Sequence, residues 1–263
     1  MSGQALTNRG RYLLLIDILG FSQLVRTKGS DEILGVINKA LEAFNRWERL
    51  NGSFKTIYFS DTFLFYQEQQ GYGDWAFLDS YAIGSFILTT LLAEGIPARG
   101  AISFGSFEVH NDKSDKHQVY FGTALVEAHE AEQAENWIGI TILPSAWQPF
   151  EELNPGAISA FQSEKAWLMR EAGQVLLLNP FIKIRGWHMY DLMGEIDAPY
   201  LEWDQPDFPN EIKAFKFLKN ATEKYLTEPE PKGRIAQKYL ATDSFIKTIF
   251  GPELYDWACK ISS

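Results

Sequence analysis

A single cysteine, Cys259, in 263 residues leaves no partner for a disulfide within this chain and suits a reducing compartment. No Lys/Arg run offsets the 34 acidic residues, and the formal net charge is −10. Binding to nucleic acid through phosphate neutralisation is therefore disfavoured, as is binding to an anionic membrane surface. The four histidines, His110, His117, His129 and His188, fall at no zinc-ligand spacing, and neither a G-x-S-x-G elbow nor a Walker-type glycine loop occurs. Zinc, serine-hydrolase and P-loop chemistry drop out on that ground. The opening residues Met1-Ser2-Gly3-Gln4-Ala5 lack the charged-then-apolar layout of a secretory signal, so a cytoplasmic location is expected. The most apolar long stretch, Trp75 to Leu92, is interrupted by Asp79, Ser80, Ser85, Thr89 and Thr90, which suits a buried core helix rather than a membrane span.

What is present is an ordinary globular composition, 46% hydrophobic and 22% charged, in a chain long enough to bury a sizeable core. The apolar run Leu13 to Ile16 reads as a strand buried on both faces, ending on Asp17 with Gly20 just beyond. A carboxylate at a strand end, next to backbone amides freed by glycine, can hold a cation and cradle phosphates. A second carboxylate, Asp61, lies in the polar Ser60-Asp61 step between two β-rich runs over residues 54 to 67, as the tip of a hairpin. Two carboxylates on adjacent tips can share two divalent ions.

Between these points, Gly20 to Arg26 reads as a short helix. Ser30, followed by Asp31 and Glu32, caps an amphipathic helix through Ile33, Val36, Ile37, Ala40, Leu41, Phe44 and Trp47, with Asn51-Gly52 as its stop. A helix from Trp75 to Ala93 ends at Gly95 and Pro97. Ile96 to Val109 reads as a long strand broken by glycines, Asn111 to Lys116 as a turn and Val119 to Phe121 as a short strand. Gly122 opens a helix running to about Asn136, and Trp137 to Leu143 is a strand stopped by Pro144. This order predicts an α+β fold, a mixed sheet covered by helices, over residues 1–145. Residues 146–263 form a mostly helical C-terminal extension, with a strand near Val175 to Leu178, a Pro-, Asp- and Trp-rich loop from Asp197 to Asn210, and helices near 210–226 and 233–249. The extension is expected to pack on the first part or on a partner copy.

Asp17-Ile18-Leu19-Gly20-Phe21 resembles the D-[IV]-x-G-F opening of class III nucleotidyl cyclases. Asp61, 44 residues later, is similar to that family's second metal aspartate. Arg99-Gly100-Ala101-Ile102-Ser103-Phe104-Gly105 matches the spacing of its R-x-G-[IV]-x-x-G strand, and Gly122 to Ala128 resembles a degenerate G-x-x-V-N-x-A. The resemblance spans roughly residues 10 to 143 and implies a ferredoxin-like cyclase core. Val126 stands where purine cyclases have the asparagine, and Glu130 where they have the transition-state arginine. Lys55 holds the place of the adenine-reading lysine, but Val119 replaces its aspartate partner. This combination looks most like the pyrimidine cyclases of bacterial Pycsar antiphage systems, whose cyclic nucleotide product acts on a separate effector.

The resemblance implies cyclisation of UTP to 3′,5′-cyclic UMP and pyrophosphate. The alternatives are cyclic CMP from CTP, or a degenerate module that binds nucleotide without turnover. It implies two divalent ions, Mn²⁺ or Mg²⁺, held by Asp17, Asp61 and the Ile18 carbonyl. Amides of Leu19, Gly20 and Phe21 would hold phosphate. Arg99 and Lys55 are the candidate cations for the base or the developing charge, and Tyr58 is among the aromatic residues available to narrow the base pocket. A homodimer with two shared sites is implied as well.

Overall fold

The computed structural model describes residues 10–50, 54–67, 74–111, 118–170, 174–182, 208–227 and 233–261. The elements in order are β1 (Arg11–Ile18), α1 (Phe21–Thr27), α2 (Ser30–Leu50), β2 (Phe54–Phe59), β3 (Thr62–Gln67), α3 (Asp74–Ala93), β4 (Ala98–Gly105), β5 (Glu108–Asn111), β6 (Gln118–Phe121), α4 (Thr123–Ala134) and β7 (Gly139–Ile142). There follow α5 (Pro144–Leu153), α6 (Ala157–Ser163), β8 (Trp167–Arg170), β9 (Val175–Leu178), α7 (Phe208–Leu226) and α8 (Arg234–Ile261).

Seven strands form one mixed sheet in the order β2-β3-β1-β4-β7-β9-β8. β1 lies antiparallel between β3 and β4, whereas β4 and β7 run parallel. This is the expected α+β arrangement. The residues of β1 divide strictly by face, as strand alternation requires. Tyr12, Leu14 and Ile16 enter a large core beneath α3, α5 and α7. Leu13 and Leu15 instead meet Leu64, Ala101, Phe107, Ala124 and Ala128 in a smaller core under α4. Both sides are apolar, so β1 reads as a continuous hydrophobic run.

The helix α3 is long and apolar enough to cross a membrane, but it packs between the sheet and α7, with Phe77, Ile83 and Ile87 fully buried. Two small residues let α4 lie close on the strands, and the Ser103 hydroxyl donates to the Ala124 carbonyl at 2.7 Å. Gly122, which opens α4, has a φ of 152° and backs onto the Ser106 carbonyl, so the turn into α4 has room for no side chain.

The structure corrects several expected boundaries. The strand expected over Ile96 to Val109 is two strands, because the chain turns at Ser106-Phe107, where Phe107 drops into the α4-side core. Pro144 does not only stop β7. It begins α5 as an N-terminal helical proline, a place where its missing N–H costs nothing. The last helix continues past residue 249 to Ile261, bending at Gly251 (φ 71°) before Pro252. Asn111, expected in a turn, ends β5, and residues 208–210, expected in the loop from Asp197 to Asn210, open α7; the side chains of Phe44 and Trp47 and the rest of that turn and loop lie outside the described residues.

Residues after 145 share the sheet with those before it. β9 pairs antiparallel with β7, and β8 pairs with β9. At the other side, α8 is bolted to the segment after α4. The Thr242 hydroxyl accepts the Ile138 N–H at 2.8 Å and donates to the Lys238 carbonyl at 2.8 Å, while Trp137 meets Phe245 edge to face. Thr242→Val keeps the shape but leaves the buried Ile138 N–H unpaired. It should therefore lower stability in urea by about 1–3 kcal/mol, whereas loss of under about 0.3 kcal/mol would mean that this bond does not hold α8 in place.

Candidate functional site

Asp17 sits at the end of β1, with Thr62 of β3 opposite it on one side and Arg99 of β4 on the other. The strand end is stitched down on both flanks: Ile18 N–H donates to the Asp61 carbonyl at 3.0 Å, and Leu19 N–H to the Pro97 carbonyl at 2.8 Å. Asp61 is therefore fixed next to β1 by main chain. Its partner in the two-residue turn, Ser60, has a φ of 59°, and positive φ at the first turn position suits the twist of a tight hairpin. The structure thus brings Asp17 and Asp61 to one end of the sheet, where the Asp61 carboxylate raises the electrostatic cost of ionising Asp17.

Asp17 is pushed up to about 7, first by burial, then by the neighbouring carboxylates Glu132 and Asp61; Arg99 and a hydrogen bond from Thr62 oppose the rise. A carboxyl so placed lacks positive charge. Asp17, Asp61 and the Ile18 carbonyl at the same strand end fit hard divalent cations in donor type. Among the described residues no group of three or more His, Cys, Asp or Glu side chains converges as a metal site. Remaining ligands would come from phosphates and water, as is usual for Mg²⁺.

Arg99 is 17% exposed and faces several carbonyl and carboxylate oxygens at once. It forms an ion pair with the Glu132 carboxylate, lies 3.8 Å from Asp17 and donates to the Glu135 carbonyl at 3.2 Å. Glu135 in turn takes both guanidinium arms of Arg170, and the Lys238 ammonium donates to the Glu135 main-chain oxygen at 3.1 Å. Burial and the neighbouring Arg99 lower the Lys238 pKa. Glu132, Glu135 and Lys238 are all buried. In the sequence, Glu132 was hinted at by the spacing Ala124, Ala128, Glu132, the inner stripe of α4 ending on a carboxylate. Lys238 carried no such signal, since only the fold brings α8 to this place.

The remaining predicted residues divide. Lys55 is exposed on β2 and shares the Asp17 face, because it pairs with Tyr66, which pairs with Leu13. Tyr58 does not join them. It pairs with Phe63, which pairs with Ile16 on the opposite face, and its ring lies 6.4 Å from that of Phe63. Within one chain, then, strand alternation keeps the Tyr58 ring on the face opposite Asp17. The Leu19 amide is spent on Pro97, so it is not free for phosphate. No such bond occupies the Gly20 and Phe21 amides among the described residues, and Gly20 (φ 80°) has nothing within 4 Å of where a Cβ would point. Phe21 itself packs into the larger core. Val119 and Val126 are both exposed.

Beyond Gly20 and Arg99 the chain encloses a cavity of about 630 Å³. One wall is the turn after β1 and the start of β4, the second is the end of α4, and the third is the first turns of α8.

No protein-family model matches this sequence, and no curated protein matches it. Solved structures do. The monomeric guanylyl cyclase domain of the RhoGC fusion protein from the aquatic fungus Blastocladiella emersonii superposes with a TM-score of 0.50 at 13% identity, over 65% of this chain and 95% of that one. The adenylyl cyclase CyaB from P. aeruginosa gives 0.48 at 12% identity, over 65% of this chain and 93% of that one. The guanylate cyclase domain of RhGC from Catenaria anguillulae, in complex with GTP, gives 0.45 at 16% identity, over 54% and 81%. The chain has the α+β fold of class III nucleotidyl cyclase domains, with a mostly helical C-terminus.

Proposed function

We propose that this chain is a metal-dependent nucleotidyl cyclase that converts UTP to 3′,5′-cyclic UMP and pyrophosphate. The observation that carries the reading is the placement of Asp17 and Asp61 at one end of the sheet, tied together by the Ile18–Asp61 main-chain bond, on a fold shared with cyclase domains. Asp17, Asp61 and the Ile18 carbonyl would hold two divalent ions, Mn²⁺ or Mg²⁺. When bound, such ions supply Lewis-acid activation of the ribose 3′-hydroxyl and neutralise the leaving pyrophosphate. The chain's own residues do the positioning. Thr62 orients Asp17, Arg99 places a guanidinium beside it, and the open Gly20 turn gives phosphate oxygens close access to the backbone.

Specificity for a pyrimidine is supported by what the base-reading positions lack. Val119 cannot accept from the exocyclic amine of adenine, whereas uracil offers two carbonyl acceptors to a donor such as Lys55. An unmet buried partner costs about 1–3 kcal/mol, which is enough for tenfold to hundredfold discrimination. The likeness of the motifs to Pycsar cyclases supports a role in antiphage signalling, with the product acting on a separate effector. A homodimer is part of the reading, and the exposed apolar side chains of Val119, Phe121 and Val126 support it.

The reading is tested by supplying all four NTPs in equal amounts with Mn²⁺ and identifying the cyclic product. Cyclic UMP is expected above cyclic CMP, and both well above cyclic AMP and cyclic GMP; a faster purine product would overturn the pyrimidine reading, and no product at all would favour the degenerate module. Val119→Asp should erode the preference. Mixing Asp61→Ala with Lys55→Ala protein should rescue turnover if sites are shared between subunits, and failure to rescue would argue against shared sites.

Asp17→Ala or Asp61→Ala should abolish turnover with the fold intact by circular dichroism, since each removes a cation ligand worth several kcal/mol of transition-state stabilisation. Activity within tenfold of wild type in either variant would show that the pair does not hold the metal.

The raised pKa of Asp17 adds a pH prediction. Its folded pKa of about 7 exceeds the ordinary value of 3.8, so in metal-free protein its contribution to stability is present below that ordinary value and lost as pH rises through 7. A cation must displace the proton. Mn²⁺ affinity measured by calorimetry should therefore climb up to about tenfold per pH unit below pH 7 and level off above it. Asp17→Asn should flatten that dependence, and a wild-type affinity constant from pH 5.5 to 8 would contradict it.

A further inference from the structure

The cavity beside the site is built jointly by the cyclase-like core and the C-terminal extension, and its charge is unlike that of the chain as a whole. Its basic lining residues are Arg99, Arg234 and Lys238, and its one acidic residue is Glu135. The Glu135 carboxylate is already bound through both oxygens to Arg170. Arg99 is itself engaged by Glu132 and stands 3.8 Å from Asp17, so among the described residues Lys238 and Arg234 are the lining cations with no carboxylate bound to them, in a protein of net charge −10. Such a concavity focuses positive potential and selects anions. Its volume, about 630 Å³, lies within the range of small-molecule sites.

Lys238 is the most telling of the three. It is 8% exposed, and among the described residues its ammonium has one hydrogen bond, to the neutral Glu135 carbonyl at 3.1 Å. An ammonium has three donors, and burying it with one hydrogen bond is costly, a cost that the nearby carboxylates of Glu132, Asp17 and Glu135 offset only in part, since burial and Arg99 still lower its pKa. An anion in the cavity would offset that cost. The side chain is also well placed to wait for one, because Thr242, one turn further along α8, pins this stretch of helix to Ile138. Arg99 joins the cavity to the carboxylate pair, since it lines the one and lies 3.8 Å from Asp17. Gly20, three residues beyond Asp17, opens onto the same space without obstruction. On α4, position 130 carries an exposed glutamate, so that helix offers no cation there.

We propose that α8 completes an anion subsite in cis, in which Lys238 and Arg234 hold the terminal phosphates of a nucleoside triphosphate whose α-phosphate lies at Asp17 and Asp61. The C-terminal extension is then part of the binding site. The identity of the anion as a nucleotide tail rests on the cyclase reading; the anion subsite itself does not.

The test uses the full chain and inorganic tripolyphosphate with Mg²⁺, followed by calorimetry, alongside UTP turnover. Wild-type protein should bind tripolyphosphate at least tenfold more tightly than UMP. Lys238→Met should weaken tripolyphosphate binding tenfold or more and raise the KM for UTP, and Lys238→Arg should recover most of the loss. Arg234 is exposed, so Arg234→Ala is free of folding risk and should weaken binding several-fold. If UTP is cyclised but tripolyphosphate affinity and KM are unchanged in both Lys238→Met and Arg234→Ala, the subsite is overturned and the cyclase reading stands. If tripolyphosphate binds in a Lys238-dependent manner without any cyclic product, the subsite stands and the cyclase reading falls. Absence of tripolyphosphate binding to wild-type protein overturns the subsite.

Discussion

Holding a carboxylate at the end of a strand that is buried on both faces is the constraint around which this molecule is arranged. Asp17 is fixed by its register to Thr62 and Arg99, and main-chain bonds from Ile18 and Leu19 fasten the next two residues to the hairpin tip and to Pro97. The strand cannot slide to relieve the charge, because a one-residue slip would exchange its two apolar faces. The cost appears as an Asp17 pKa raised to about 7. Arg99 offsets part of it, but Arg99 is shared with Glu132 and the Glu135 carbonyl. A bound cation would supply the remaining compensation, which is what the proposed metal role of Asp17 and Asp61 rests on.

The parts of the fold legible in the sequence are those governed by local pattern. The buried strand β1, the hairpin around Ser60-Asp61, the long apolar helix α3 and the short strand β9 follow from hydrophobic runs of the right length between polar or glycine breaks. The parts that were not legible depend on contacts distant in sequence. Phe107 turns the chain out of β4 and into the core under α4, and in sequence Gly105 is one of two glycines in the stretch 96–109, with nothing local to say which of them ends the strand. Pro144 reads as a stop, yet it begins a helix, and the last helix runs on past 249 through a bend at Gly251. β8 is a short strand whose pairing with β9 defines it.

The candidate site shows the same division. Asp17, Asp61 and Arg99 were readable from motif and spacing, and the sheet gathers them. An aromatic cluster in sequence says nothing of which face each ring takes; the register puts Tyr58 on the face opposite Asp17. Of the Glu132, Glu135 and Lys238 group only Glu132 has a sequence signal, since the group forms only where α8 crosses the end of α4, about a hundred residues later in the chain. That crossing makes the extension a wall of the cavity and gives residues after 145 a role next to the site as well as in the sheet.

The central claim is that Asp17 and Asp61 together hold divalent cations at a nucleotide. It is tested most directly by crystals grown with Mn²⁺ and a non-cyclisable UTP analogue lacking the 3′-hydroxyl, with data collected at the manganese edge. The account predicts anomalous peaks within coordination distance of both carboxylates, with the triphosphate running past Gly20 towards Arg99. Manganese bound elsewhere, or a nucleotide seated with no metal at Asp17 and Asp61, would contradict it.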